Sequence, residues 1–268
     1  MPELPEVETT VRGLERILLG RRLVRVEPRR GDMRRAFPED LGQRLTGAVV
    51  TGLGRRAKYG LVDTDRGDTL VFHLGMSGRW RIDPAELDTH DHLLIETEDG
   101  HRLALNDPRR FGSVDLLPTN AVAEWPAFAA MGPEPFDLTG EDLHARLRGR
   151  QAAIKLLLLD QRIVAGLGNI YVCEALHRAG ISPNRAGGRV SLERIRRLVP
   201  AIHAVLEEAI EAGGSTLRDY AQPDGQLGYF SKSFAVYDRE GESCRCGGTV
   251  KRFAQGGRST WHCSRCQR

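Results

Sequence analysis

The stretch MPELPEVETTVRGLERILLG, residues 1–20, decides how the rest of the chain has to be read. Val7, Val11, Leu14 and Leu18 recur at helical spacing, Pro5 falls early in the first turn, and Gly20 stands where a helix would stop. The chain therefore opens on one amphipathic helix. From about 22 to 117 the pattern switches to short β-type runs: RLVRVEP (22–28), GAVVTGLG (47–54), GLVDT (60–64), TLVFHLG (69–75), HLLIET (92–97) and RLALN (102–106). Gly, Asp and Pro separate them, and many short strands behind a single helix imply a sandwich or barrel.

Residues 118–134, PTNAVAEWPAFAAMGPE, read as a connector. Beyond it the period returns to helical in TGEDLHARLRG (139–149), QAAIKLLLLDQ (151–161), GNIYVCEALHRAG (168–180) and SLERIRRLVPAIHAVLEEAIEAGG (191–214), several with Ser or Thr caps and Gly stops. A loop rich in Gly, Asp and Ser follows, and a cysteine hairpin closes the chain. The expected class is α+β and multidomain. Its divisions are a β-rich domain over 1–117, a linker over 118–134, a helical domain over 135–232 and a hairpin over 233–268.

A length of 268 residues suits two ordinary domains, and 40% apolar content with mixed charge reads as a globular protein. No apolar run approaches the roughly 20 residues of a spanning helix, so no membrane partner is expected. Glutamates occupy the place where a signal peptide would carry lysine or arginine, which points to the cytoplasm. The net charge of +3 matters less than its distribution. Arg245, Lys251, Arg252, Arg258, Arg265 and Arg268 follow Glu242 with no further acid, and Arg21, Arg22, Arg25, Arg29, Arg30, Arg34 and Arg35 crowd against Glu27 and Asp32. Such patches bind polyanions, although a merely solvated arginine-rich surface has the same composition.

Methionine before proline is normally removed, leaving Pro2 with a secondary amine. An α-amino group titrates near 8, against about 10.4 for lysine, so more of it is neutral and nucleophilic at pH 7. Attack on a sugar carbon would give a permanently cationic iminium, with Glu3 placed to move protons. The same residues also serve as an ordinary helix start, a proline followed by first-turn acids. RRAKYGL puts Lys58 in an expected strand, a point charge for a phosphate if the fold brings it near Pro2. HLGMSGRW (73–80) and NDPRRFGS (106–113) read as turns that display Met76, Arg109 and Phe111, residues suited to filling a base stack from which a nucleotide has been pulled, or to packing a hairpin tip. AGLGNIYVCEAL (165–176) sets Gly166, Gly168 and Asn169 ahead of a helix, either a phosphate cradle or a tight turn.

Four of the five cysteines, Cys244, Cys246, Cys263 and Cys266, lie in the last 25 residues as two close pairs, a metal signature in a reducing compartment. The first pair is C-x-C where a zinc knuckle normally has C-x2-C, which disturbs the turn that aims both sulfurs at one ion. Cys173, within an expected helix, reads as a small buried hydrophobe.

Taken in order, PELPEVE, RRAKY, HLGMSG, DPRRFG, GLGNIY with its glutamate, and the cysteine hairpin resemble the formamidopyrimidine-DNA glycosylase family over the whole chain. The resemblance implies a β-sandwich with a leading helix, a helix-two-turn-helix domain and a zinc-ribbon-type hairpin, acting as a monomer on double-stranded DNA that carries oxidised purines or abasic sites, with structural Zn2+ and no nucleotide cofactor. It implies Pro2 as nucleophile, Glu3 as catalytic acid, Lys58 in the lyase steps and Glu6 as organiser of the site. It further implies Met76, Arg109 and Phe111 as the wedge and Asn169 and Arg258 as grips on the phosphates beside the lesion, with Arg258 counted among the catalytic residues. His90 and Lys155 become additional DNA contacts, and Glu174 and Arg218 become residues of the base pocket beneath a covering loop, 217–237. Arginine at 218, where relatives often have lysine, and the C-x-C pair depart from the pattern. Leu4, the complete wedge and the long loop favour the purine-specific branch over endonuclease VIII, which acts on oxidised pyrimidines. Intact Pro2 and Glu3 speak against a non-catalytic lesion binder.

Overall fold

A computed structural model describes residues 2–216 and 221–268. The elements run α1 (Leu4–Leu18), β1 (Leu23–Pro28), α2 (Leu41–Leu45), β2 (Val50–Arg56), β3 (Tyr59–Thr64), β4 (Asp68–His73), β5 (Arg79–Ile82), β6 (Asp91–Thr97), β7 (Arg102–Asn106), β8 (Ser113–Pro118), α3 (Pro126–Ala129), α4 (Gly140–Leu147), α5 (Ile154–Leu159), α6 (Asn169–Arg178), α7 (Leu192–Glu211), β9 (Lys251–Gln255) and β10 (Arg258–His262). They form two compact units, Met1–Ala129 with Ile210–Ser231, and Ala130–Ala209 with Lys232–Arg268. No helix among the described residues is long and apolar enough to cross a membrane.

The first unit holds two antiparallel four-stranded sheets, ordered β1-β6-β7-β5 and β2-β3-β4-β8. Val7, Val11, Leu14 and Leu18 of α1 enter one core with Val26, Val62, Phe72, Trp80, Ile95 and Leu105 from both sheets, as the helical spacing demands. Gly60 is required here because the Phe72 ring occupies the space a β-carbon would take. Two strands escape the sequence pattern. RWRI of β5 alternates too briefly, with only Trp80 buried, and SVDLLP of β8 is interrupted by Asp115. Both are held by neighbours remote in sequence, β7 and β4.

The described residues of 210–231 cluster with this unit. The Ile82 amide donates to the Pro223 carbonyl (2.8 Å), the Ser215 amide donates to Glu6 Oε1 (2.8 Å), and the Pro223 ring packs against Gly13. In the second unit α4 begins on Thr139, which forms a reciprocal capping box with Asp142, and α7 runs on through Pro200. The hairpin is fused to these helices: Lys155 Nζ reaches Ser259 O and Thr260 Oγ1, Gln267 Nε2 donates to Ile181 O, and Glu174 holds 235–237.

Candidate active site and nucleic-acid interface

In the first unit Pro2 and Glu3 are buried at the head of α1, with Glu3 as N-cap. Glu6 Oε2 accepts the Glu3 amide at 2.8 Å while its other oxygen accepts the Ser215 amide, so one buried carboxylate ties the chain start to the segment entering the loop. The neighbouring turn is tied to the same helix: Arg55 Nε donates to Glu8 Oε2 (2.9 Å) and Arg55 Nη1 to Ala57 O (2.9 Å). Lys58 lies in this two-residue turn between β2 and β3, not in a strand as the sequence suggested, because Ala57 adopts φ +52° and reverses the chain there. The side chain of Lys58 is largely buried.

Tyr59 pairs with His73, and His73 Nδ1 accepts the Gly75 amide at 3.0 Å, which couples the lysine turn to the Met76 turn. Burial first, and then the Lys58 charge, push the His73 imidazole down to about 4. The free residue titrates near 6.5, so neutral His73 contributes stability that is complete above that value and is lost as pH falls towards 4. Unfolding by urea is expected to cost about 2 kcal/mol less at pH 5 than at pH 7 from this group. His73→Asn, which keeps an acceptor for Gly75, should remove most of that slope; an unchanged slope would contradict the assignment.

Gly75 (φ +64°) lies so close to the Phe111 carbonyl and the Gly112 nitrogen that no side chain fits, and the two turns press backbone to backbone. Asp107 clamps them. Its buried carboxylate accepts Ser77 Oγ–H (2.6 Å) and the Gly112 amide (2.8 Å), while Ser77 Oγ accepts the Arg109 amide (3.2 Å). The clamp leaves Met76 39% and Phe111 44% exposed, with the Arg109 guanidinium 4.9 Å from the Phe111 ring centre. His90, also exposed, sits beside them: its carbonyl accepts the Asp107 amide, and its ring stands edge-on to His92, whose Nε2 contacts Asp107 O. Sequence reading missed Asp107, although DP in NDPRRFG is a turn signal that could have flagged it.

In the second unit Gly166 (φ +83°) donates its amide to Gln161 Oε1, and the loop delivers Asn169 to the start of α6. Asn169 Nδ2 donates to Ser259 O (3.0 Å), and its buried Oδ1 has no hydrogen-bond partner among the described residues. The exposed Arg258 follows the Gly256-Gly257 turn, next to Ser259. Asn169 thus bonds the backbone of the residue that follows Arg258.

Two expected residues have other employment. Lys155 is fully buried, its ammonium held by Ser259 O (3.1 Å) and Thr260 Oγ1 (2.6 Å), because α5 buries Ile154, Leu157 and Leu158 around it. Through these bonds it fixes β10. Glu174 accepts the amides of Ala235, Val236 and Tyr237 at 2.8, 3.0 and 2.8 Å, so its carboxylate organises this backbone. Arg218, with most of the start of the proposed loop, lies outside the described residues.

The sulfurs of Cys244, Cys246, Cys263 and Cys266 lie within 4.8 Å of one another, close enough to share one metal ion. The shortened first pair converges because Gly247 (φ +78°) reverses the chain: the Gly247 amide returns to Cys244 O, and the Cys244 amide donates to Gly248 O. The Gly248 amide also bonds the Cys246 sulfur and is the main reason that thiol falls to about 7, while burial pushes the Cys244 and Cys266 thiols up.

Two family models match the chain, the formamidopyrimidine-DNA glycosylase N-terminal domain over residues 1–114 and the formamidopyrimidine-DNA glycosylase H2TH domain over 131–221. The chain is 66% identical to the formamidopyrimidine-DNA glycosylase of Novosphingobium aromaticivorans and 65% identical to that of Rhizorhabdus wittichii, each over the full length of both chains. Among solved structures it is similar to the Lactococcus lactis Fpg bound to DNA containing an abasic site (TM-score 0.92, 34% identity, 100% of both chains). It is also similar to the MutM (FPG) protein of Thermus thermophilus (TM-score 0.89, 40% identity, 99% of this chain and 98% of the other). With both domain models and full-length relatives in agreement, the chain belongs to the formamidopyrimidine-DNA glycosylase family.

Proposed function

We propose that the chain excises oxidised purines, 8-oxoguanine and formamidopyrimidines, from duplex DNA and then cuts the strand at the resulting abasic site. The observation that carries this reading is the built chain start: Pro2 and Glu3 are buried, and Glu6 fixes Glu3 to the segment at Ser215. A flexible terminus would not be held this way. The Lactococcus lactis relatives, solved with Fapy-dG and with abasic DNA, support the substrate class.

With Met1 removed, the lone pair of the Pro2 nitrogen attacks C1′ of the lesion nucleotide, and the glycosidic bond breaks as the base departs with its electron pair and takes up a proton. Glu3 protonates the ring oxygen as the sugar opens, which leaves an iminium between C1′ and Pro2. Its positive charge acidifies the 2′ carbon; loss of that proton expels the 3′ phosphate, and a second elimination expels the 5′ phosphate. Water releases Pro2 from the sugar fragment. Lys58, on the turn tied to α1, supplies a point charge for a phosphate in these steps. Met76, Arg109 and Phe111 fill the stack when the nucleotide is extruded, a step costing a few kcal/mol and least for a weakened pair. His90 extends that rim, and Asn169 and Arg258 grip the backbone. Arg218 is retained as a candidate contact to the extruded base.

The four cysteines fit Zn2+: four soft sulfur donors converge, as a closed tetrahedral site requires. When bound, the ion supplies no reaction step and holds the hairpin that carries Arg258. The reading is tested by cleavage of duplexes holding 8-oxoguanine opposite C or thymine glycol opposite A. The 8-oxoguanine strand should be cut at least tenfold faster; the reverse order would assign the chain to oxidised pyrimidines.

A further inference from the structure

The cysteine cluster has a neighbour from outside the hairpin. His177, in the last turn of α6, places Nε2 at 3.3 Å from Cys244 Sγ. Both residues line an open cavity of about 930 Å³ together with Cys246, Cys266, Arg178 and Arg245, so one side of the cluster faces solvent. Four thiolates around one divalent ion carry net negative charge, and in a partly buried site that charge has to be offset by N–H donors. The C-x-C pair has one residue, and hence one backbone amide, fewer between its sulfurs than the usual knuckle.

We infer that His177 supplies the missing donor: its Nε2–H hydrogen-bonds the Cys244 thiolate and slows loss of the metal through the open cavity. A metal-bound thiolate has no proton to give, so in the loaded site the imidazole is the donor and carries its proton on Nε2. The bond also joins the hairpin to α6, the helix that starts at Asn169. This inference rests on the reading of the cysteines as a zinc site.

The test uses the full-length protein loaded with zinc, with release followed by a chromogenic chelator in excess. His177→Phe keeps the ring volume without a donor, and His177→Gln restores an N–H near the same place. Release from the Phe variant is expected to be about tenfold faster than from wild type, the effect typical of losing a partner of a metal ligand. The Gln variant should lie within about threefold of wild type, on the same reasoning that the donor and not the ring is what matters. Equal release from all three, or Gln as fast as Phe, would overturn the role of His177 while leaving the zinc site standing. Wild type that takes up no zinc would overturn both. A measurement independent of the variants is the 113Cd-loaded wild type, in which a scalar coupling between 113Cd and Hε2 of His177 is expected across the hydrogen bond; a cadmium spectrum coupled only to the cysteine protons would contradict it.

Discussion

Glu3→Gln is expected to lower single-turnover excision of 8-oxoguanine by about 10²–10⁴-fold, the range typical of removing a positioned proton donor. The substitution is chosen because it separates chemistry from architecture. Glutamine has the same length and retains an acceptor oxygen, so the reciprocal cap with Glu6 persists and the buried head of α1 keeps its shape. What glutamine cannot do is give up and regain a proton as the sugar ring opens. Stability should therefore stay within about 1 kcal/mol of wild type, the size of a typical cap effect. Activity within a few fold of wild type would remove Glu3 from the mechanism.

The second large effect is expected at Asp107, far from the nucleophile in sequence. Asp107→Ala deletes a buried carboxylate that receives Ser77 Oγ–H and the Gly112 amide. Ser77 can rotate towards another acceptor, but the buried Gly112 amide cannot, and an orphaned buried donor together with the loss of charge-assisted bonds costs about 3 kcal/mol. The loss should appear as a lowered midpoint in urea. The two turns would also lose their common register, and with it the exposed set of Met76, Arg109 and Phe111. Lesion excision from duplex DNA is then expected to fall by more than cleavage at a preformed abasic site, where no base has to be evicted. Ser77→Ala, which removes one of the bonds, should show a smaller form of both effects, with about 1 kcal/mol of stability lost. Equal losses on the two substrates would mean that Asp107 serves stability alone.

Much of the fold was legible because its helices are amphipathic in the simplest way. Val7, Val11, Leu14 and Leu18 predict a buried face, and all four are in the core. Strands β5 and β8 were not legible, since each is defined by a partner distant in sequence and not by its own alternation. The position of Lys58 was misread because an alanine at φ +52° makes a turn that composition does not announce. Lys155 and Glu174 show a different limit. A lysine or glutamate in a helix says nothing about whether its charge faces solvent or closes a gap in the backbone, and here both close gaps. The C-x-C pair looked defective when cysteine spacing alone was considered. The following Gly247 turn and the donor from α6 become visible only once the chain is folded.

The central claim is that the secondary amine of Pro2 becomes bonded to C1′ of the lesion nucleotide, and one measurement reads that bond directly. Borohydride is added during reaction with a duplex containing 8-oxoguanine, the complex is digested, and the peptide carrying the reduced sugar is sequenced by mass spectrometry. The sugar is expected on the nitrogen of Pro2, in protein that has lost Met1. A sugar attached to Lys58, or active enzyme that retains Met1 and yields no adduct, would contradict the account.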